Sequence, residues 1–124
     1  MNTTLLLIGS ILIIIWGLAH LFPTQKIVDG FGDISKDNKQ IILMEWVAEG
    51  LFLCFLGMLV LWVTIFIGTA TPTTIFVIRA SATMLILLAI VSFFTIFHTS
   101  IIWNKLCGFV KSTVAILFLL GTIL

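Results

Sequence analysis

Four long apolar stretches dominate the sequence and limit every fold that it can adopt. A helix needs about 20 apolar residues to cross the hydrocarbon core of a bilayer, and each stretch is close to that length or exceeds it. They cover residues 5–22, 41–67, 74–97 and 106–124, and one polar loop, 23–40, separates the first two. The pattern predicts an all-α, polytopic membrane protein, with one domain of four transmembrane helices in a serial up-down bundle.

Charge content excludes other classes of protein. Only 9% of the 124 residues are charged and 61% are hydrophobic, whereas about a quarter of the residues in a soluble domain are charged. A formal net charge of +1 with no run of Lys or Arg provides no electrostatic surface for nucleic acid. The partners that we expect are membrane lipid, a lipophilic ligand, and either a second copy of the chain or another membrane subunit.

The lysines predict an orientation in the membrane. Loop 23–40 holds Lys26, Lys36 and Lys39, and the third link adds Lys105. Cytoplasmic loops carry an excess of Lys and Arg, so we expect loop 23–40 in the cytoplasm and both termini outside the cell membrane. No basic residue precedes the first stretch, and we expect it to remain as a span rather than to be cleaved as a signal.

Small residues in the spans predict where helices touch. The pairs Gly9 with Gly17 and Gly50 with Gly57 mark faces on the first two spans, and Ala80 with Thr83 marks a face on the third. Gly108 marks a further face on the fourth span.

The start of the second span has two candidate caps. Ser35 or Asp37 can accept the first free N–H groups of the helix. Gln40 follows Asp37 by three residues, as in a capping box.

Most polar span residues fall at one end of a serial bundle. The end of span one, the start of span two, the end of span three and the start of span four all lie on the same side of the membrane. Ionisable residues inside spans are costly and usually mark a functional site. Those at this end, with one amide, are His20, Glu45, Glu49, His98, Asn104 and Lys111.

Tryptophans accompany these polar residues. Trp16 precedes His20 by one helical turn, and Trp46 lies between the two glutamates. The combination predicts a polar, tryptophan-lined site that binds or processes a lipophilic small molecule. The candidate catalytic residues are Glu49, Glu45 and His20. The candidate ligand-binding residues are Trp16, Trp46, His98, Asn104 and Lys111.

Structural roles compete with these functional ones. Glu49 can pair with Lys111, which lies at a similar depth in span four. Glu45 can lie among the headgroups, because span two is longer than the bilayer requires. The histidines can be interfacial groups held by hydrogen bonds.

Two further functions stay open. His20 and His98 end two spans on the same side, as a bis-His haem requires, and with Glu45 and Glu49 they offer ligands for a divalent metal. No Glu-x-x-His pair is present, and neither cofactor is favoured. The small size of the chain also fits a non-enzymatic accessory subunit of a membrane complex.

The two cysteines form no recognisable motif. Cys54 and Cys107 lie in apolar stretches and match neither a Cys-x-x-Cys nor a zinc pattern. We expect both to be unpaired thiols packed between helices.

Overall fold

The computed structural model describes all 124 residues, which form helices and no strands. The helices are, in chain order, α1 (Thr3–Leu21), α2 (Thr24–Asp29), α3 (Lys36–Trp62), α4 (Pro72–Phe94) and α5 (Ile102–Ile123). A π-helical turn over Val63–Ile67 extends α3, and a 3₁₀ turn over Ile96–His98 follows α4. All but α2 are long and apolar enough to cross a membrane. They indicate an integral, multi-pass membrane protein and confirm the predicted all-α four-helix fold.

Local side chains determine where the helices begin. The Ser35 hydroxyl accepts the backbone N–H of Asn38 at 3.1 Å and caps α3. Of the two predicted caps, Ser35 is therefore correct, and the capping box of Asp37 with Gln40 is wrong, because Asp37 already lies in the first turn. The same hydrogen bond extends α3 into residues 36–40, which the sequence assigned to the loop. Helix α2 was not predicted.

The four spanning helices pack in chain order around the bundle, but one of the contacts between neighbours is nearly open. Helix α1 packs mainly against α3 and also against α5, whereas α4 packs mainly against α5. Contact between α3 and α4 is sparse, although a short link joins them. They therefore leave a groove between them, which we call the side groove. It runs past Glu45 and Glu49 on α3 and past Ser92 on α4.

Glycine brings α1 and α3 into close contact, as the sequence predicted. A Cβ atom on Gly17 would lie 2.8 Å from the Gly50 carbonyl oxygen and 2.6 Å from the Cys54 sulfur. The face predicted at Ala80 and Thr83 is wrong, because both residues are exposed on α4. The close approach of α1 and α3 matters for the site, because it fixes His20 against the first half of α3.

Candidate functional site

A buried ion pair lies at the end of the bundle where α1 ends and α3 begins, which we call the α2 end. Lys111 on α5 is only 1% exposed. Its ammonium group pairs with Glu49 on α3 and donates a hydrogen bond of 2.9 Å to the Ser92 hydroxyl on α4. Three helices are thus joined at one point. The structural pairing that the sequence left open for Glu49 is present in the structure.

His20 extends this network from α1. Its Nε2 atom lies 3.8 Å from the Glu49 Oε2 atom. Its Nδ1 atom lies 3.3 Å from the Trp16 carbonyl oxygen. Because a carbonyl only accepts hydrogen bonds, this contact requires the proton on Nδ1. The neutral ring therefore has its lone pair on Nε2, and only the protonated ring can donate from Nε2 to the Glu49 carboxylate. We call Lys111, Ser92, Glu49 and His20 the buried network.

Trp46 on α3 contacts both the ring and the backbone of His20. The indole and imidazole rings stack with their centroids 4.9 Å apart, and the indole N–H donates a 2.6 Å hydrogen bond to the His20 carbonyl oxygen. That carbonyl is near the C-terminus of α1, where the helix leaves its last carbonyls without partners. Trp46 consequently fixes both the ring and the backbone of His20.

Cys107 joins the site, although sequence analysis gave it only a packing role. The Cys107 sulfur and the ligating atoms of His20 and Glu49 all lie within 4.8 Å of one another. Both cysteines are free thiols, as expected. Cys107 precedes Lys111 by one helical turn, so the two side chains share a face of α5. That spacing is the sequence feature that could have identified Cys107 as part of the site.

A cavity of about 420 Å³ opens next to the buried network. Three tryptophans line it, and we call it the tryptophan cavity. The polar groups that reach it come from α1, α2 and α5. Its lining includes Trp16, Trp46, Trp103, His20, Asn104, Cys107, Ala19 and Lys26. His20 lines the cavity and Glu49 lines the side groove, while Trp46 lines both.

The candidate residues from the sequence divide into three groups. Trp16, His20, Trp46 and Asn104 line the tryptophan cavity. Glu49 and Lys111 belong to the buried network. The remaining two lie apart from the cavity: Glu45 is exposed along the side groove, which agrees with its alternative place among headgroups, and His98 is exposed in the turn before α5.

The position of His98 removes the geometry on which the haem hypothesis depended. Helix α4 ends at Phe94, four residues before His98. The 3₁₀ turn that follows places the imidazole edge-on to the Phe97 ring, at 6.0 Å. His98 is not in the lining of the tryptophan cavity, where His20 lies. The predicted pairing of the two histidines is therefore wrong.

The metal-ligand set also differs from the predicted one. Close donors come from His20, Glu49 and Cys107 rather than from His20, His98, Glu45 and Glu49. Lys111 already offsets the charge of Glu49. A divalent ion bound by that carboxylate and a Cys107 thiolate would leave the buried ammonium without a counter-charge, which is costly. Because Lys111 and Glu49 already balance each other, the charges of this site argue against a bound divalent ion.

Neither a known protein family, nor a curated protein, nor a solved structure matches the chain. The chemistry of this site is therefore the only guide to its function.

Proposed function

We propose that the protein binds a lipophilic small molecule in the tryptophan cavity, with the polar group of that molecule directed towards His20. The observation that carries the proposal is the cavity itself. Its volume of about 420 Å³ lies within the range of about 300–1,000 Å³ that is usual for small-molecule sites. Its position at the α2 end of a membrane bundle gives it access to molecules dissolved in the bilayer.

The lining supports a ligand that is mostly apolar and has a polar end. Tryptophan faces offer large apolar surfaces. Polar groups reach the cavity at only a few points, among them His20, Asn104 and Cys107. Such a mixture orients a ligand through a small number of hydrogen bonds while the remainder is held by apolar contact.

The glycine faces of this bundle give the accessory-subunit hypothesis no support. A small-residue face is available to a partner only if the chain does not use it. Gly17 and Gly57 on neighbouring helices both contact residues of this chain, and Gly108 contacts Phe93. The bundle therefore already uses these glycines internally, and Ala80 and Thr83 are small residues that stay exposed. A binding role for the cavity needs no such partner surface.

Quenching of tryptophan fluorescence by bromodecanol tests the proposal. Bromodecanol combines a hydroxyl group, an apolar chain and a bromine that quenches nearby indoles. Three of the four tryptophans line the cavity, whereas Trp62 is exposed elsewhere on α3. We expect saturable quenching in the purified protein. The quenched fraction should rise in Trp62→Phe, because that variant loses the fluorophore outside the cavity.

Two matched variants locate the binding site. Ala19 lines the tryptophan cavity and Ala48 lines the side groove, and both side chains are exposed. Ala19→Phe should abolish the saturable quenching, and Ala48→Phe should leave it unchanged. Quenching that rises linearly with bromodecanol, or that only Ala48→Phe removes, would contradict the proposal.

A further inference from the structure

We infer that the Cys107 thiol is a nucleophile that accepts the acyl group of a lipophilic carboxylic ester bound in the tryptophan cavity. His20 serves as its base. The inference depends on the proposed function, because the cavity must first bind the ester.

The position of the thiol distinguishes Cys107 from the other cysteine. Cys107 is 1% exposed, yet it lines the cavity beside His20. Cys54 lies between α1 and α3, and its thiol donates to the Ile14 carbonyl oxygen at 3.7 Å. It touches neither the cavity nor a group that could take its proton. The molecule thus contains a candidate nucleophile and a matched control cysteine.

His20 is arranged to take the thiol proton. The Trp16 carbonyl oxygen holds the imidazole proton on Nδ1, which leaves Nε2 to accept a proton, and a ring nitrogen of His20 lies within 4.8 Å of the sulfur. Glu49 lies 3.8 Å from the same Nε2, and its negative charge favours the imidazolium that forms. Glu49 is therefore a positioning residue, because it acts through His20. Transfer of the proton from sulfur to nitrogen leaves the total charge of the buried site unchanged.

Trp16 supplies a free hydrogen-bond donor at the same place. Its indole nitrogen is buried and has no hydrogen-bond partner, although a buried donor is normally satisfied. The same indole and Cys107 both line the cavity. A carbonyl that approaches the sulfur would bring its oxygen close to this N–H. The donor would then stabilise the negative charge that develops on that oxygen.

The chemical step balances with these groups alone. The thiol proton moves to Nε2 of His20, and the sulfur attacks the ester carbonyl carbon. The bond between that carbon and the alkoxy oxygen breaks, and the departing oxygen takes the proton from His20. The products are an alcohol and a thioester on Cys107. Water then attacks the thioester, which releases the carboxylic acid and restores the thiol.

The test uses the full-length protein in detergent with the p-nitrophenyl ester of decanoic acid. We expect one decanoyl group on Cys107 by peptide mass mapping, removable by neutral hydroxylamine as a thioester is, and none on Cys54. Cys54→Ala should retain the adduct and Cys107→Ala should lose it. His20→Gln and Trp16→Phe should each slow its formation roughly 100-fold, the usual scale for loss of a general base or an oxyanion donor. Thermal unfolding of each variant reports whether it has folded.

Competition with bromodecanol separates the two proposals and does not depend on any variant. Saturating bromodecanol should protect Cys107 in the wild-type protein. If bromodecanol quenches saturably while Cys107 stays unmodified, the nucleophile is wrong and the binding function stands. If it neither quenches saturably nor protects, the binding function fails too. Equal acylation of both cysteines, or reaction of Cys107 only after a chelator has removed a metal ion, would also overturn the inference.

Discussion

The two ends of the bundle differ in the burial and pairing of the basic residue that each carries inside a span. At the α2 end, Lys111 is buried and joined to Glu49 and Ser92. At the other end, Arg79 is exposed on α4, and its Nε donates only to the Thr122 hydroxyl on α5, at 3.3 Å. A long exposed side chain can extend to the headgroups at little cost. The buried arrangement at the α2 end therefore exceeds what a stable bundle needs, and it is there that the tryptophan cavity lies.

The largest expected difference between the two ends is their accessibility from outside the cell. The lysines of loop 23–40 predict that the α2 end faces the cytoplasm. In a background with both native cysteines replaced by alanine, Lys36→Cys should resist a membrane-impermeant maleimide in intact cells, and Ala70→Cys should react completely. Both positions are exposed in the structure, so both should react after permeabilisation. The opposite pattern in intact cells would reverse the orientation.

Removal of the Glu49 charge should have the largest effect on stability. Glu49→Gln leaves the Lys111 ammonium buried without a counter-charge, which costs about 3–5 kcal/mol for comparable buried pairs. Lys111→Met in the same chain should restore much of that loss. Arg79→Met at the other end should cost less than about 1 kcal/mol, as for exposed charges. Denaturant unfolding in detergent measures the three variants against the wild-type protein, and equal effects of Glu49→Gln and Arg79→Met would contradict the comparison.

Glycine-to-alanine substitutions should reveal a smaller difference between the two ends, in how much an added methyl group lowers the free energy of unfolding. An added Cβ at Gly17 would meet the backbone of α3 at Gly50, whereas at Gly121 its nearest neighbours would be side-chain atoms of Leu6. We expect Gly17→Ala to lower the free energy of unfolding by about 1–3 kcal/mol, the usual range for overpacking. Gly121→Ala should lower it less. The reverse order would show that the α1–α3 contact is not the rigid part of the bundle.

The smallest effect should come from the exposed ion pair next to the site. The Lys39 ammonium, 3.0 Å from Asp29, and the Gln25 amide together lower the pKa of the Asp29 carboxyl. The folded state therefore binds this proton less tightly than the unfolded state. The resulting stabilisation is present above about pH 3.9, the ordinary value for Asp, and disappears as pH falls through the lowered pKa.

Asp29→Asn isolates that contribution. The substitution should lower the melting temperature slightly at neutral pH and leave it unchanged at a pH below the lowered pKa. A difference that persists in acid would mean that Asp29 acts through something other than its charge.

Much of the fold could be predicted because span length and depth can be read directly from hydropathy. The same information predicted that Glu49 and Lys111 lie at one level, where the structure joins them. Depth does not determine which way a side chain points around its helix. These helices are apolar on nearly every side, so the sequence carried no signal for the sparse α3–α4 contact or for the side groove.

The missed details at the site have local causes. Hydropathy places His98 at the end of a span, but α4 stops at Phe94 and a 3₁₀ turn follows. Cys107 appeared to be a packing residue, because a thiol in an apolar stretch has no chemical signature until a base lies beside it. His20 and Cys107 are 87 positions apart in the chain, and only the contact between α1 and α5 brings them together.

The most direct test of a ligand site at the α2 end is a crystal structure of the protein soaked with bromodecanol, with the bromine located by its anomalous scattering. We expect a bromine peak in or at the mouth of the cavity lined by Trp16, Trp46 and Trp103, with the hydroxyl density directed towards His20. Bromine peaks confined to the side groove, or to the lipid-facing surface around Trp62, would contradict the proposed function.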